Sequence, residues 1–220
     1  NDVFTMDKIL LGDVFIRGGS SSGTHVLEEG RPIGQFYGLV CNGIDENGRY
    51  ILVDKDGDGE ISDPADYDYI GSAQPKLTYG ITNSFRYKNF DLSFFLRGTI
   101  GNDILNATRM AYAQSGFLPG TNALDDPLTY TLSETPRFSN YYLEKGSFMR
   151  LDNLTLGYKI KALNGIRVYF TAQNLFVITK YKGLDPEVPM DSGDGLTPGV
   201  EPREFYPKAR TFSVGLNLNF

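Results

Sequence analysis

Asp54, Asp56 and Asp58 stand two residues apart in the run VDKDGDGEIS at 53–62. Carboxylates at that spacing converge on a hard cation, as at positions 1, 3 and 5 of an EF-hand-type calcium loop. Gly59 takes the sixth position, where a sharp turn is needed. Glu60 takes the seventh, which ligates through its backbone carbonyl, and Ile61 the eighth, an apolar anchor. The twelfth position, normally a bidentate acid, is Ala65. Asp63 and Asp66 flank it and are the candidates to complete the set, with Pro64 bending the chain between them. The expected ion is Ca2+ in a structural role; the alternative is an Asp/Gly-rich turn, which these residues also suit. The acids are concentrated here. Nine acids and two bases between Asp45 and Asp68 sum to -7 of a total of -6, leaving about +1 for the rest of the chain. Acidity is thus a local property pointing to a cation, and no basic patch supports nucleic-acid binding.

Other reactive side chains are few. His25 lies beside the Ser/Gly-rich stretch Gly18–Gly23 and reads as a solvated loop residue. No nucleophile elbow, phosphate-binding loop or zinc-ligand set appears, so no catalytic residue and no enzyme activity is expected. Cys41 is the sole cysteine; it cannot form an internal disulfide and reads as a thiol buried in a strand. The aromatics Tyr112, Phe117, Tyr130, Phe138, Tyr141 and Tyr142 fall in loops, where they either stack on sugars or pack loop against loop. Asn102 and Asp103, at the top of an expected strand, are further candidate ligand contacts.

The elements that must position these residues are strands. Phe212, Val214, Leu216, Leu218 and Phe220 alternate with Ser213, Gly215, Asn217 and Asn219 to the end of the chain. Alternation puts one wholly apolar face opposite one small or polar face. A strand between lipid and a watery lumen needs that pattern. Leu77–Tyr87 repeats it, interrupted on the apolar face only by Asn83. Phe90–Ile100 follows after a Lys88-Asn89 turn, then Leu154–Ile160 and Ile166–Gln173 either side of a Lys161–Asn164 link. Segment 34–41 reads as a further strand, while the first 33 residues are poorly patterned. Short turns alternate with long connections near 42–76, 102–147 and 180–209, as in barrels with short periplasmic turns and long extracellular loops. The final strand then runs inward. A 40% hydrophobic content with no apolar run near the ~20 residues of a membrane helix is compatible with this. The chain starts at Asn1 with neither an initiator Met nor a signal peptide and reads as a fragment of a longer protein.

An ordered series of segments resembles one family, the SusC/RagA-type TonB-dependent transporters of Bacteroidota. It comprises GRPIGQFYG at 30–38, VDKDGDGEIS at 53–62, IGSAQPKLTYGITNSFRYKNFDLSFFLRGTIGNDILN at 70–106, SFMRLDNLTLGY at 147–158, RVYFTAQNLFVITKYKGLDPEV at 167–188 and YPKARTFSVGLNLNF at 206–220. The resemblance implies an all-β fold: the C-terminal antiparallel strands, about the last six, of a large 22-stranded transmembrane barrel with long extracellular loops. Residues 34–220 would be barrel and 1–33 a strand or loop segment leading into it. It also implies an outer-membrane importer of glycans, peptides or other oligomeric nutrients. The implied partners are a SusD-type surface lipoprotein acting as a lid, outer-membrane lipid, and the TonB complex reached through upstream segments. The competing reading is a soluble, calcium-stabilised β-rich binding module of adhesin or lectin type.

Overall fold

The computed structural model of the protein describes residues 8–16, 19–115, 118–120, 122–161, 166–188, 195–202 and 206–218. The described residues begin with a hairpin, β1 (Ile9–Ile16) and β2 (Gly19–Leu27), followed by β3 (Gln35–Leu39), β4 (Cys41–Ile44), β5 (Tyr50–Leu52) and β6 (Tyr67–Ser72). Two long strands come next, β7 (Leu77–Tyr87) and β8 (Phe90–Ile100). A long connection then carries β9 (Asp103–Leu105), the short helices α1 (Ala107–Tyr112) and α2 (Pro127–Thr131), and β10 (Leu143–Lys145). Three more long strands finish the described chain: β11 (Phe148–Ile160), β12 (Ile166–Thr179) and β13 (Thr211–Asn217). No described helix is long and apolar enough to cross a membrane.

The long strands form one antiparallel sheet in the order β13-β12-β11-β8-β7. Register turns the alternation of each sequence into continuous rows. Phe85, Leu92, Leu156, Phe170 and Val214 stand side by side across all five strands, and so do Tyr87, Phe90, Tyr158, Val168 and Leu216. On the opposite face the matching row is Ser84, Ser93, Thr155, Thr171 and Ser213. The two threonine hydroxyls there lie 3.1 Å apart. Among the described residues nothing covers the apolar face: Val214 is 74% exposed, Leu216 62% and Phe85 54%. A face of that extent in water would be an association hazard; in a barrel wall it meets lipid.

One irregularity resets the pattern. Asp152 is extra between Leu151 and Asn153 against β8, so the apolar parity of β11 switches from even numbers below the bulge to odd numbers above it. The strand bends there without turning its apolar side chains inward.

The expected strand at 34–41 is shorter and lies elsewhere. β3 belongs to a four-stranded sheet in the order β1-β2-β3-β6, and among the described residues the long sheet holds five strands. The weakly patterned N-terminal stretch is itself the β1–β2 hairpin of that sheet, irregular between Leu11 and Asp13. His25 corrects another expectation. It is a fully buried strand residue whose Nε2 lies 2.9 Å from the Pro198 carbonyl and whose ring packs 4.4 Å from that of Phe36. Cys41 is a buried strand thiol, as its sequence context suggests; burial pushes its pKa up.

The described parts of the long connections form a lobe at one end of the sheet. Phe36, Leu105, Met110, Leu128, Phe138 and Tyr142 form its core, drawn from β3, β9, both helices and the segment before β10. Asn106 caps α1 by accepting from the Arg109 amide, and Asp126 caps α2 by accepting from Leu128.

Candidate cation loop and polar wall

Between β5 and β6 the chain folds the loop whose spacing suggested a cation. One carboxylate oxygen from each of Asp54, Asp56 and Asp58 lies within 4.8 Å of the others. Atoms bound to one Ca2+ at about 2.4 Å can be no further apart than about 4.8 Å, so this donor set fits the ion in spacing and in oxygen chemistry. The Asp54 carboxylate accepts from the amides of Gly57 (2.6 Å) and Gly59 (2.9 Å), and the Asp58 carboxylate from Glu60 (2.8 Å). Gly59 has φ +88°, a conformation that favours glycine and makes the tight turn.

The other candidate ligands make contacts of their own. Asp66 is 1% exposed, and its carboxylate accepts from the amides of Lys55 (2.6 Å), Ser62 (2.8 Å) and Asp56 (3.4 Å). Those amides hold its pKa below the usual carboxylate value. Asp66 therefore ties the start of the loop to its end. Asp63 pairs with Arg137 at 2.7 Å, fastening the loop to the lobe. Glu60 is exposed, and Ile61 half-buried.

The candidate ligand contacts are not gathered into one subsite. Tyr142 is fully buried with its hydroxyl 2.5 Å from that of Tyr50, and Phe138 is 1% exposed; both are core. Burial pushes the Tyr50 phenol up to about 12 and raises that of Tyr142 as well. Tyr141 is half-buried, edge-on to Tyr50 and Tyr142, with the Arg109 guanidinium 5.3 Å from its ring centre. Tyr112 is half-buried at the end of α1. Asn102 accepts from the Thr99 hydroxyl at 3.2 Å, and Asp103 accepts from the Ser72 amide and Lys145. Phe117 and Phe220 lie outside the described residues. Among the described residues the most exposed aromatics are Tyr206 at 87% and Tyr130 at 73%; Tyr206 lies in the 180–209 connection, where no spacing pattern marks it.

The polar face of the sheet carries a charge network that spacing alone does not reveal. Arg97 and Arg150 face each other across β8 and β11, two like charges in register. Acids from the 180–188 segment and from the bulge offset them. Glu187 accepts from Arg97 in a two-pronged contact at 2.5 and 2.9 Å, Asp152 lies 3.1 Å from Arg97, and Asp185 lies 2.5 Å from Arg150. The segment is thereby fastened to the wall, and Lys208 also reaches Glu187. Nearer the hairpin end, Arg167 grips Asp91 through Nε (2.9 Å) and Nη2 (2.5 Å). That pair spans β11 over Gly157, where an added Cβ would come within 2.5 Å of both partners.

Known proteins place this arrangement in a family. The TonB-dependent receptor P3 of Formosa agariphila is 34% identical over 90% of this chain and 23% of its own length. The TonB-dependent receptor SusC of Bacteroides thetaiotaomicron is 36% identical over 95% of the chain and 21% of its own. Among solved structures, the RagAB peptide transporter matches 97% of the chain and 25% of its own at a TM-score of 0.71 and 25% identity. No family model matches the chain. The chain thus spans about a quarter or less of the length of these relatives. It forms part of the wall of an outer-membrane β-barrel, and it belongs to the TonB-dependent receptors of the SusC/RagA type.

Proposed function

We propose that this chain is the C-terminal wall of an importer that brings oligomeric nutrients, glycans or peptides, across the outer membrane. The observation that carries the reading is the two-faced sheet of five long strands, apolar on one side and charged on the other, in a chain matched along 90–95% of its length by TonB-dependent receptors. The polar face lines the lumen, the two-residue turn at Lys88-Asn89 faces the periplasm, and the ordered lobe faces the outside. Energy comes from the TonB complex, contacted through upstream parts of the protein. A SusD-type surface lipoprotein covers the lobe and delivers the cargo. The protein carries out no chemistry on what it moves.

The cation loop has a supporting role. Ca2+ held by Asp54, Asp56 and Asp58 neutralises carboxylates that otherwise repel one another, and so stiffens the outer lobe. The soluble calcium-stabilised module has no comparable support, because an uncovered apolar face five strands wide does not suit a water-soluble monomer.

The direct test is deletion of the full-length protein in its native bacterium, followed by growth on oligomeric glycans and on peptides as sole nutrients. Loss of growth on one class, restored by the gene, together with co-purification of a surface lipoprotein, is the expected result. Unchanged uptake of every oligomer would refute the importer reading.

A further inference from the structure

On the apolar side of the long sheet, at its lobe end, lies a cavity of about 460 Å³, lined among others by Tyr79, Ile100, Lys145, Ser147, Ile178 and Lys180. Gly98 makes room for it. An added Cβ there would come within 2.0 Å of the Phe148 carbonyl oxygen and 2.6 Å of the Tyr79 hydroxyl. With no side chain in the way, Tyr79 reaches from β7 across β8, and its hydroxyl donates to the Phe148 carbonyl at 3.3 Å. Tyr79, Ile100 and Ile178 share the parity of the apolar rows, and both isoleucines are exposed. The rim is polar. Lys145 enters it from β10 and Lys180 follows the end of β12, both exposed. Lys145 is steadied by Asp103 at 2.7 Å, whereas Lys180 has no acid within ion-pair distance among the described residues. The Ser147 hydroxyl accepts from the Gly101 amide at 2.9 Å, which leaves its proton to donate. The hairpin end of the apolar face is different: it carries Tyr87, Phe90 and Tyr158, while register puts Arg86, Lys159 and Arg167 on the opposite face.

We propose that this cavity seats a phosphorylated lipid of the outer leaflet, its phosphate between Lys145 and Lys180 and its acyl chains over Tyr79, Ile100 and Ile178. The proposal rests on the barrel reading, which turns this face to the bilayer and the lobe outward. Three features select the occupant. The first is polarity along the strands: the cations stand at the lobe end, and the apolar wall runs on from them toward mid-sheet through the row Ile81, Leu96 and Leu151. A molecule with an anionic head and apolar tails matches both parts, whereas a small soluble anion would use the rim and leave the isoleucines bare. The second is the side of the sheet, since cargo in the lumen meets the opposite, polar face. The third is charge. An ammonium is a compact point charge suited to phosphate, and the long lysine stem carries it to the boundary of the apolar layer. At that boundary water screens the pair less than it would in bulk, so an ammonium without an acid of its own gains most from an anionic headgroup.

Lipid retention reads the site. The full-length protein, purified from outer membranes in a mild non-ionic detergent, is incubated with acyl-labelled phosphorylated lipid extracted from the outer leaflet of the same bacterium, then washed and counted. The Lys145→Gln/Lys180→Gln variant should retain at least about tenfold less, since each lysine near an anionic headgroup contributes separately. Lys180→Gln alone leaves the Lys145–Asp103 pair intact and should already lower retention several-fold, while Lys180→Arg should keep it. Inorganic phosphate, which has no tails, should not displace the lipid. Equal retention by the parent and the glutamine variants, or equal retention of the same lipid after enzymatic dephosphorylation, overturns the proposal. Displacement by inorganic phosphate alone overturns it too, by making the rim a site for a free anion. Heat-modifiable migration of the same sample separates the two claims. A folded barrel that retains no lipid defeats the lipid site alone, whereas the absence of a folded barrel defeats the barrel reading with it.

Discussion

Asp54 and Asp66 are the same residue type in the same loop, yet they do opposite things. Asp54 aims its carboxylate toward those of Asp56 and Asp58, while Asp66 turns its own onto three amides. Spacing made the first role legible, because side chains two apart near a glycine turn point to a common centre. It could not reveal the second, because the amides that Asp66 serves are four to eleven residues away and come near only when the loop closes. Two expectations follow for the full-length protein. Calcium should bind with a dissociation constant on the order of 10⁻⁴–10⁻³ M, as in extracellular modules, and Asp58→Asn should weaken it by about tenfold; calorimetric titration measures both. Acid should loosen the loop through Asp66. Its folded pKa is depressed, so its contribution is complete above the unfolded value of about 3.9 and is lost as pH falls through the lower folded value. Amide exchange across residues 55–66 should rise over that window, and Asp66→Asn should remove the pH dependence. His25 belongs to the same lesson. Its neighbours in sequence are small and polar, and only the β2–β3 pairing brings Phe36 against its ring.

At the scale of elements, the long strands were legible because alternation over about ten residues has few other causes. The bulge at Asp152 was not, since an inserted residue looks like any other position until its neighbours' register is known. Nor was the lobe, whose helices of five and six residues are too short to leave a periodic signal. Adjacent positions on β11 distinguish the two faces. Leu154→Arg at mid-strand should cost about 2–4 kcal/mol and impair outer-membrane assembly, whereas Thr155→Arg, one residue on, should assemble. The heat-modifiable fraction in isolated outer membranes measures the contrast. Asp185 tests the charge network that fastens the 180–188 segment. Both it and Arg150 have side chains about 5% exposed or less, so Asp185→Ala leaves a buried guanidinium without its nearest partner. A loss of about 3–5 kcal/mol is expected, read from denaturant unfolding of the full-length protein, with Asp185→Glu recovering part of it.

For the molecule as a whole, the structure is an open piece of wall with one face toward lipid and one toward water. Its exposed apolar rows and its polar rows make sense together only when the sheet continues into a closed barrel, where the free edges of β7 and β13 find neighbours. The family of the chain was readable from ordered segments along most of its length, whereas its cargo was not, because the lobe residues that looked most like ligand contacts are largely engaged in holding the lobe together. The most direct test of the account is a cysteine scan of β11 from Phe148 to Ile160 in the full-length protein with Cys41→Ser, comparing reaction with a water-soluble maleimide against contact with brominated lipid. Lipid contact should recur at 154, 156, 158 and 160, reverse phase across Asp152, and recur at 151 and 149, with maleimide reacting at the positions between. Reactivity that ignores this two-residue period, or maleimide labelling equally strong on both faces, would contradict the assignment of the sheet to a membrane barrel.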